Sequence, residues 1–331
     1  MRKDAFQSKL EKINTNYEQV INRSASHFFC PILFTDEDVE LCKAHIVNQA
    51  FPESTPNWTI QRKDIDNFYG SFFEADFIAV QYNEHTHEDI FTNKKLSKLF
   101  KPQILVDNQP VDYFILNKKI PSNFTPLQFE NGDNSLQLGL KISPKELEEA
   151  QEKNWEMSVS KDVRLQALVS LIKAAHLTLF EMLGYKYAFS SGGYFVGKSV
   201  LGSFFLQNYG KSKSEVLENS YSFFQEFVNM ARPLISSEIS FQGTATDNQL
   251  LLCQKQGDIA WGMIVFVKTA QIMNAVLLPL FDQPDSVVRF FDFLNDKENE
   301  TIDVALMHFT DNHFEISRAT KIIWPKNDVS F

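Results

Sequence analysis

The chain has 331 residues, a length that predicts about two domains and is ample for a hydrophobic core. Apolar residues make up 44% and charged residues 22%, so the composition excludes a wholly disordered chain. The net charge of −10 excludes a constitutive nucleic-acid coat protein, which needs clustered lysine and arginine. Three cysteines, Cys30, Cys42 and Cys253, are an odd number and too few for a disulfide framework, so they favour a reducing compartment.

The distribution of apolar residues predicts a soluble, cytoplasmic protein without membrane contact. The charges within residues 1–6 are not followed by the apolar run of a signal peptide. The most apolar long stretch, 165–183, is interrupted by Lys173, His176 and Glu181, which argues against a membrane span.

In the first half of the chain, hydrophobic periodicity predicts one helix and several strands. Apolar residues at steps of three and four predict an amphipathic helix over about 4–22. Residues 103–116 resemble two strands about a polar turn, and 135–142 alternate as a further strand. Ser143 begins a capping-box pattern, which predicts a helix that ends near Trp155.

The second half is predicted to be built around one long helix. Ser160 is the expected N-cap of a helix over about 161–183, which is apolar on nearly every side, and Gly184 ends it. A further helix is expected over about 214–231, with strands at 260–267 and 305–309. The predicted class is α+β, with the chain divided into an N-terminal helix (1–23), a small module (24–100) and a mixed domain (101–331).

Residues 27–76 carry the clearest functional pattern. Cys30-Pro-Ile-Leu33 is followed by Ala44-His45-Ile46-Val47 and then by Asp66-Asn67-Phe68-Tyr69-Gly70-Ser71. This order resembles the treble-clef branch of the HNH endonuclease superfamily, which has the ββα-metal fold. In that branch a Cys-x-x-Cys knuckle precedes a strand that carries His, and a second knuckle leads into Asn-Asn-x-x-Gly at a short helix. A weaker likeness continues over residues 171–187.

The resemblance implies an endonuclease that hydrolyses phosphodiester bonds in nucleic acid, DNA in preference to RNA. In such enzymes a histidine at a strand end is the general base, and one divalent cation stabilises the developing charge. By this resemblance His45 is the general base and Asn67 the asparagine that braces the site. Asp66, Glu74 and Asp76 are the nearby oxygen donors for Mg²⁺ or Mn²⁺.

The sequence departs from the family pattern at five positions. Leu33 replaces the second cysteine of the first knuckle, and Arg62 and Ile65 replace both cysteines of the second. Ala44 stands where an acidic residue usually precedes the histidine, and Asn48 stands where a proline is expected. These changes leave open a second interpretation, a catalytically degenerate module that binds or regulates. An acidic chain suits a protein partner in that role.

The same segment also allows a structural zinc site. His27, Cys30, Cys42 and His45 have spacings that suit one tetrahedral Zn²⁺ ion. A zinc-bound His45 cannot act as a general base. In a third interpretation, Cys30 and Cys42 are simply small buried apolar residues.

Residues 161–213 contain seven basic and two acidic residues, so an anionic partner is expected to meet this stretch. Gly192–Ser199 satisfies the phosphate-loop pattern G-x-x-x-x-G-K-S, although the loop positions 194–196 are bulky. The alternative is contact with a nucleic-acid backbone through lysines interleaved with aromatic residues. The lysines are Lys186, Lys198, Lys211 and Lys213.

Three remaining features favour ordinary structural roles. The segment 84–89 has two alternate histidines among acidic residues, a pattern more typical of a solvated loop than of a metal site. His176 is expected to be a core histidine within the long helix. Cys253 is expected to be structural.

Overall fold

The computed structural model confirms the α+β class. It describes residues 4–51, 57–81, 103–107, 109–115, 125–131, 134–143, 145, 155–158, 164–234, 249–254, 260–269, 272–298, 300–310 and 313–324. The chain divides into two compact units. The larger joins Met1–Ile78 to Arg164–Phe331, and the smaller is Ala79–Val163.

These units differ from the predicted divisions at 23 and 100. The segment predicted as a separate N-terminal module does not have a core of its own. Its buried side chains, such as Phe28, Ile60 and Phe73, belong to the same hydrophobic cluster as Leu171 and Val276 of the C-terminal half. Residues 79–163 are therefore an insertion into the larger unit.

The larger unit begins with a helix, a β-hairpin and a broken helix. The helix α1 matches the prediction: Asp4 caps it, and Asn22 ends it in the left-handed conformation (φ 55°). The hairpin is directly followed by α2, a π-helical turn and α3. The bounds are α1, Ala5–Ile21; β1, Leu41–His45; β2, Trp58–Arg62; α2, Lys63–Tyr69; the π-helical turn, Gly70–Glu74; and α3, Ala75–Gln81.

The inserted unit contains two three-stranded antiparallel sheets, with strand orders β4-β3-β8 and β5-β7-β6. The strands predicted at 103–116 and 135–142 are confirmed. The helix predicted to reach Trp155 is wrong at its end, since Trp155 begins a strand that pairs with β3; the residues between 145 and 155 lie outside the described chain. The bounds are β3, Gln103–Val106; β4, Gln109–Val111; β5, Tyr113–Ile115; β6, Thr125–Asn131; β7, Asn134–Leu140; and β8, Trp155–Ser158.

The helix α4, Arg164–Leu183, is the centre of the larger unit, as predicted. The expected N-cap, Ser160, lies outside the described residues. Gly184 ends the helix with φ +60°, and Asn16 of α1 packs so closely against it that a Cβ would lie 2.2 Å from the amide oxygen. Among the described helices α4 is the one apolar and long enough for a membrane span, but 78% of its most apolar stretch is buried inside the protein. It is therefore a core helix of the larger unit.

The rest of the larger unit consists of short helices and a six-stranded antiparallel sheet in the order β14-β13-β10-β11-β12-β9. Helix α4 packs against β11 and β12 on one side and against the π-helical turn on another. The predicted helix over 214–231 is α8 followed by a 3₁₀ turn, and both predicted strands are present. The helical bounds are α5, Tyr185–Ala188; α6, Ser191–Tyr194; a π-helical segment, Phe195–Gly202; α7, Ser203–Asn208; α8, Lys213–Phe224; the 3₁₀ turn, Gln225–Met230; and α9, Pro284–Asn295. The strands are β9, Ala231–Leu234; β10, Gln249–Gln254; β11, Ala260–Thr269; β12, Ile272–Pro279; β13, Glu300–Thr310; and β14, His313–Trp324.

Candidate functional site

The β1–β2 hairpin and α2 place most of the predicted site residues. The two strands pair antiparallel from Leu41 opposite Arg62 to His45 opposite Trp58, and α2 starts at the next residue, Lys63. His45 is thus the last residue of β1, before the loop. Strand, strand and helix in this order are common to many folds, so the order alone does not identify an HNH module.

His45 and Asn67 are not hydrogen-bonded to each other. The Nε2 atom of His45 is buried and has no hydrogen-bond partner among the described residues. Burial lowers the pKa of His45, the nearby Lys43 lowers it further, and Asp66 opposes the shift. The imidazole is therefore held neutral, the form that a general base requires. Asn67 is exposed on α2.

The most unusual feature beside the hairpin is a buried lysine from α4. Lys173 is 1% exposed, and its Nζ lies 3.0 Å from Asp66 Oδ1 and 2.8 Å from Glu74 Oε1. The ammonium also lies 5.9 Å from the centre of the Tyr69 ring, and Glu74 Oε2 accepts a bond from Asn48 Nδ2 at 3.4 Å. Burial would lower the pKa of Lys173, but the carboxylates of Glu74 and Asp66 raise it well above its usual range. Lys173, Asp66 and Glu74 form one ion-paired group, which we call the Lys173 triad.

The structure places the carboxylates of the predicted metal site in ion pairs. Two of the three carboxylates assigned to Mg²⁺ or Mn²⁺, Asp66 and Glu74, share the lysine ammonium. The third, Asp76, pairs with Lys213 of α8 at 2.9 Å. In the part of the chain that the structure describes, no three His, Cys, Asp or Glu residues form a group that could hold a metal ion. The Lys173 ammonium thus pairs with an oxygen atom of each of two carboxylates that the prediction assigned to a divalent cation, and metal binding itself stays a prediction.

The structure also fails to bring together the four predicted zinc ligands. Cys42 and His45 are three residues apart on β1, so their side chains point to opposite faces of the hairpin. Cys30 is buried: its Sγ accepts a bond from the Leu33 amide, and burial raises the pKa of the thiol to about 11. His27 lies beside Asp36, with 3.6 Å between Nδ1 and Oδ1. Cys30 thus fits the third interpretation, whereas Cys42 is only partly buried and its thiol hydrogen-bonds to the Asp66 side chain.

The four lysines predicted to contact nucleic acid differ in their surroundings. Lys198 donates to the Leu33 carbonyl at 2.6 Å, and Lys213 pairs with Asp76. Lys211 lies 3.4 Å from Asn208 Oδ1, and Lys186 is in the last turn of α5. Three of the four ammonium groups therefore bind the protein itself, Lys211 through its longest contact, and Lys186 is the fourth.

The predicted phosphate loop is helical. Residues 191–202 form α6 and the π-helical segment, and the short helix α5 precedes them in place of a strand. The glycines serve close packing: a Cβ on Gly192 would lie 2.1 Å from the Pro279 carbonyl oxygen, and one on Gly197 would lie 2.4 Å from that of Pro31. Backbone atoms fill the space above both glycines, so the segment does not form a phosphate cradle.

His176 is a core histidine, as predicted. Its Nδ1 lies 3.0 Å from the Tyr187 hydroxyl and its Nε2 3.2 Å from the Pro31 carbonyl oxygen. The carbonyl can only accept, so Nε2 carries the proton and Nδ1 accepts from Tyr187. Burial lowers the pKa of His176 to about 4. Cys253 is also buried, and the His-containing segment 84–89 lies outside the described residues.

The pairing of Lys173 with carboxylates was not predicted, although the sequence contains an indication of it. A lysine inside a helix that is apolar on nearly every side must be buried, and a buried ammonium needs carboxylate partners. The identity of those partners depends on contacts between residues 107 and 99 positions apart, which no local pattern reveals.

Comparisons of the chain with models of protein families, with curated proteins and with solved structures gave no match.

Proposed function

We propose that the protein is a non-catalytic binding or regulatory protein whose hairpin and α2 serve as a scaffold. The observation that carries this proposal is the Lys173 triad. An HNH-type nuclease needs a divalent cation beside its histidine base. Here the carboxylates of Asp66 and Glu74, which the resemblance assigns to the cation, pair with the buried ammonium of Lys173. Removal of the ammonium would leave these carboxylates without a partner.

The charge of the protein supports a protein partner over bare nucleic acid. The net charge is −10, and three of the four lysines predicted to contact nucleic acid bind groups of the protein itself. Affinity for nucleic acid rests mainly on free lysines and arginines that neutralise phosphates. This charge distribution favours a protein partner that can bind an acidic surface. We also propose that the protein is cytoplasmic.

Metal binding and nuclease assays test this proposal. Wild type should show no heat of Mn²⁺ binding and no cleavage of plasmid or single-stranded DNA in Mg²⁺ or Mn²⁺. The variant Lys173→Met, if folded, should gain Mn²⁺ binding, because Asp66 and Glu74 lose their cation. The matched control is Lys63→Met, which removes the exposed pair with Glu40 and should gain nothing.

The HNH-like endonuclease remains a second candidate because of His45. Its neutral imidazole at the end of β1 has a buried, unpartnered Nε2, which suits a base that awaits a water molecule. Metal-dependent cleavage by wild type that disappears in His45→Ala would establish this candidate and overturn the binding proposal. Cleavage that survives the substitution would exclude His45 as the base.

A further inference from the structure

A cleft of about 250 Å³ lies at the corner where α7 meets α8. The side chains that matter for its chemistry are Phe204, Asn208, Lys211, Asn219 and Phe223. The half-buried Phe223 ring forms the apolar wall, and it packs against the fully buried Phe204 ring behind it, with 5.2 Å between the ring centres. The volume is close to the lower end of the range for small-molecule sites.

The buried amide of Asn208 fixes the polar side of this cleft. Its Nδ2 donates to the Phe204 carbonyl at 2.9 Å, so its Oδ1 is oriented as an acceptor. That oxygen accepts from Asn219 Nδ2 at 2.7 Å and from Lys211 Nζ at 3.4 Å. Each donor uses one N–H in this way, which leaves a second amide N–H on Asn219 and two N–H groups on Lys211. The cleft therefore presents several donors held at one point.

The charge of the cleft contrasts with that of the whole protein. Of the seven described residues that line it, Lys211 is the only charged one and none is acidic, although the exposed Glu215 carboxylate outside the lining interacts electrostatically with Lys211. A positive site on a protein of net charge −10 attracts a small anion locally while the remaining surface repels a long polyanion. Lysine with convergent amide donors is a common arrangement for phosphate, whose oxygens accept several hydrogen bonds.

We propose that this cleft binds the phosphate monoester group of a small metabolite, with the Phe223 ring against its apolar part. The proposal uses residues outside the Lys173 triad and does not depend on whether the hairpin region is catalytic. A free metabolite and a phosphate at the end of a nucleic acid share this chemistry, and the volume of the cleft favours the metabolite.

Isothermal titration calorimetry tests the proposal with inorganic phosphate, AMP, adenosine and a 5′-phosphorylated oligonucleotide. AMP should bind more tightly than phosphate, and adenosine should bind weakly or not at all. The variant Lys211→Met should lose roughly ten- to a hundredfold in affinity for AMP, the usual effect of removing a charged hydrogen bond. Lys211 is exposed, so this variant should fold normally, which circular dichroism would verify.

The control variant is Lys186→Met, which removes a positive charge from α5 and should leave the affinity for AMP unchanged. A second variant, Asn219→Asp, places a carboxylate in the cleft and should also weaken binding of AMP. Absence of binding by both phosphate and AMP at millimolar concentration would overturn the proposal. So would equal losses in the Lys211 and Lys186 variants, or equal affinity for AMP and adenosine. Tighter binding of the oligonucleotide than of AMP would contradict the choice of a small metabolite.

Discussion

Replacing Lys173 by methionine is expected to destabilise the folded protein by about 3 kcal/mol. Methionine fills most of the space of the lysine side chain, so little of the loss should come from a cavity. The loss arises because Asp66 and Glu74 keep their charges but lose the ammonium between them; breaking a buried ion pair in this way costs about 3–5 kcal/mol. We expect the lower end because the Asp66 side chain is 29% exposed and water screens part of its charge.

Urea unfolding followed by circular dichroism measures this effect through the midpoint and slope of the transition. The double variant Lys173→Met/Glu74→Gln should recover part of the stability, since it removes one unpaired charge and keeps an oxygen for Asn48. Lys63→Met, which breaks an exposed ion pair, should change stability little. A loss below about 1 kcal/mol for Lys173→Met, the range of surface ion pairs, would refute the conclusion that the triad is a buried electrostatic group.

The pH dependence of the Lys173 contribution provides a further check. The carboxylates raise the pKa of Lys173 above its unfolded value of 10.5. A group whose pKa is higher in the folded state stabilises fully below its unfolded pKa and loses that contribution as pH rises through the folded value. Titration of Lys173 should therefore leave the difference in unfolding free energy between wild type and Lys173→Met unchanged up to about pH 10.

Three other predictions concern a histidine, two glycines and two cysteines. Burial lowers the pKa of His176 to about 4, so the free energy of unfolding should fall by up to about 3 kcal/mol as pH drops from about 6.5 towards 4. In His176→Gln the free energy of unfolding should depend less on pH across this range. Equal pH dependence in the two proteins would contradict the assignment. Gly197→Ala should lower the melting temperature because its Cβ would lie 2.4 Å from a carbonyl oxygen. Gly70→Ala, with open space around the Cβ, should instead raise stability by up to about 1 kcal/mol. The reverse order of stabilities would refute the packing role of Gly197. Burial raises the pKa of both Cys30 and Cys42 to about 11, so both should alkylate slowly near neutral pH. The partly exposed Cys42 should still react before the fully buried Cys30, and mass spectrometry would detect the opposite order.

Local patterns predicted those parts of the fold that local interactions determine. The helices α1 and α4 follow from apolar periodicity, and Gly184 ends α4 because its positive φ suits glycine. The helix expected after Ser143 was wrong at Trp155, where pairing of β8 with β3 overrides the local preference. The position of a strand in a sheet depends on its partner, which periodicity does not identify.

The insertion of residues 79–163 was not predictable in the same way. In chain order, helices α3 and α4 are separated by the whole of residues 82–163, so the sequence suggests that they belong to successive domains. In the structure, the chain leaves the larger unit near Ile78 and returns at Arg164. The packing of Phe73 in the same core as Leu171 reveals this, and such a contact has no trace in composition or spacing.

The candidate site shows the same division between local and long-range information. The motif correctly placed His45 at the end of a strand and Asp66 on the following helix. It assigned the carboxylates to a metal because such oxygens hold one in the HNH enzymes that the motif resembles. It could not include Lys173, which reaches the same carboxylates from α4.

Lys173 nevertheless limits what the site can do, because charge must balance inside a protein. Two carboxylates and one ammonium carry a net charge of −1, and the ammonium is held by two short hydrogen bonds that a hydrated cation would have to replace. A divalent cation could enter only if Lys173 moved into apolar surroundings, at a cost of several kcal/mol for an unpaired buried charge. The same residue that fixes the hairpin region against α4 thus opposes metal binding there, which is why we favour a scaffold role for this region over catalysis.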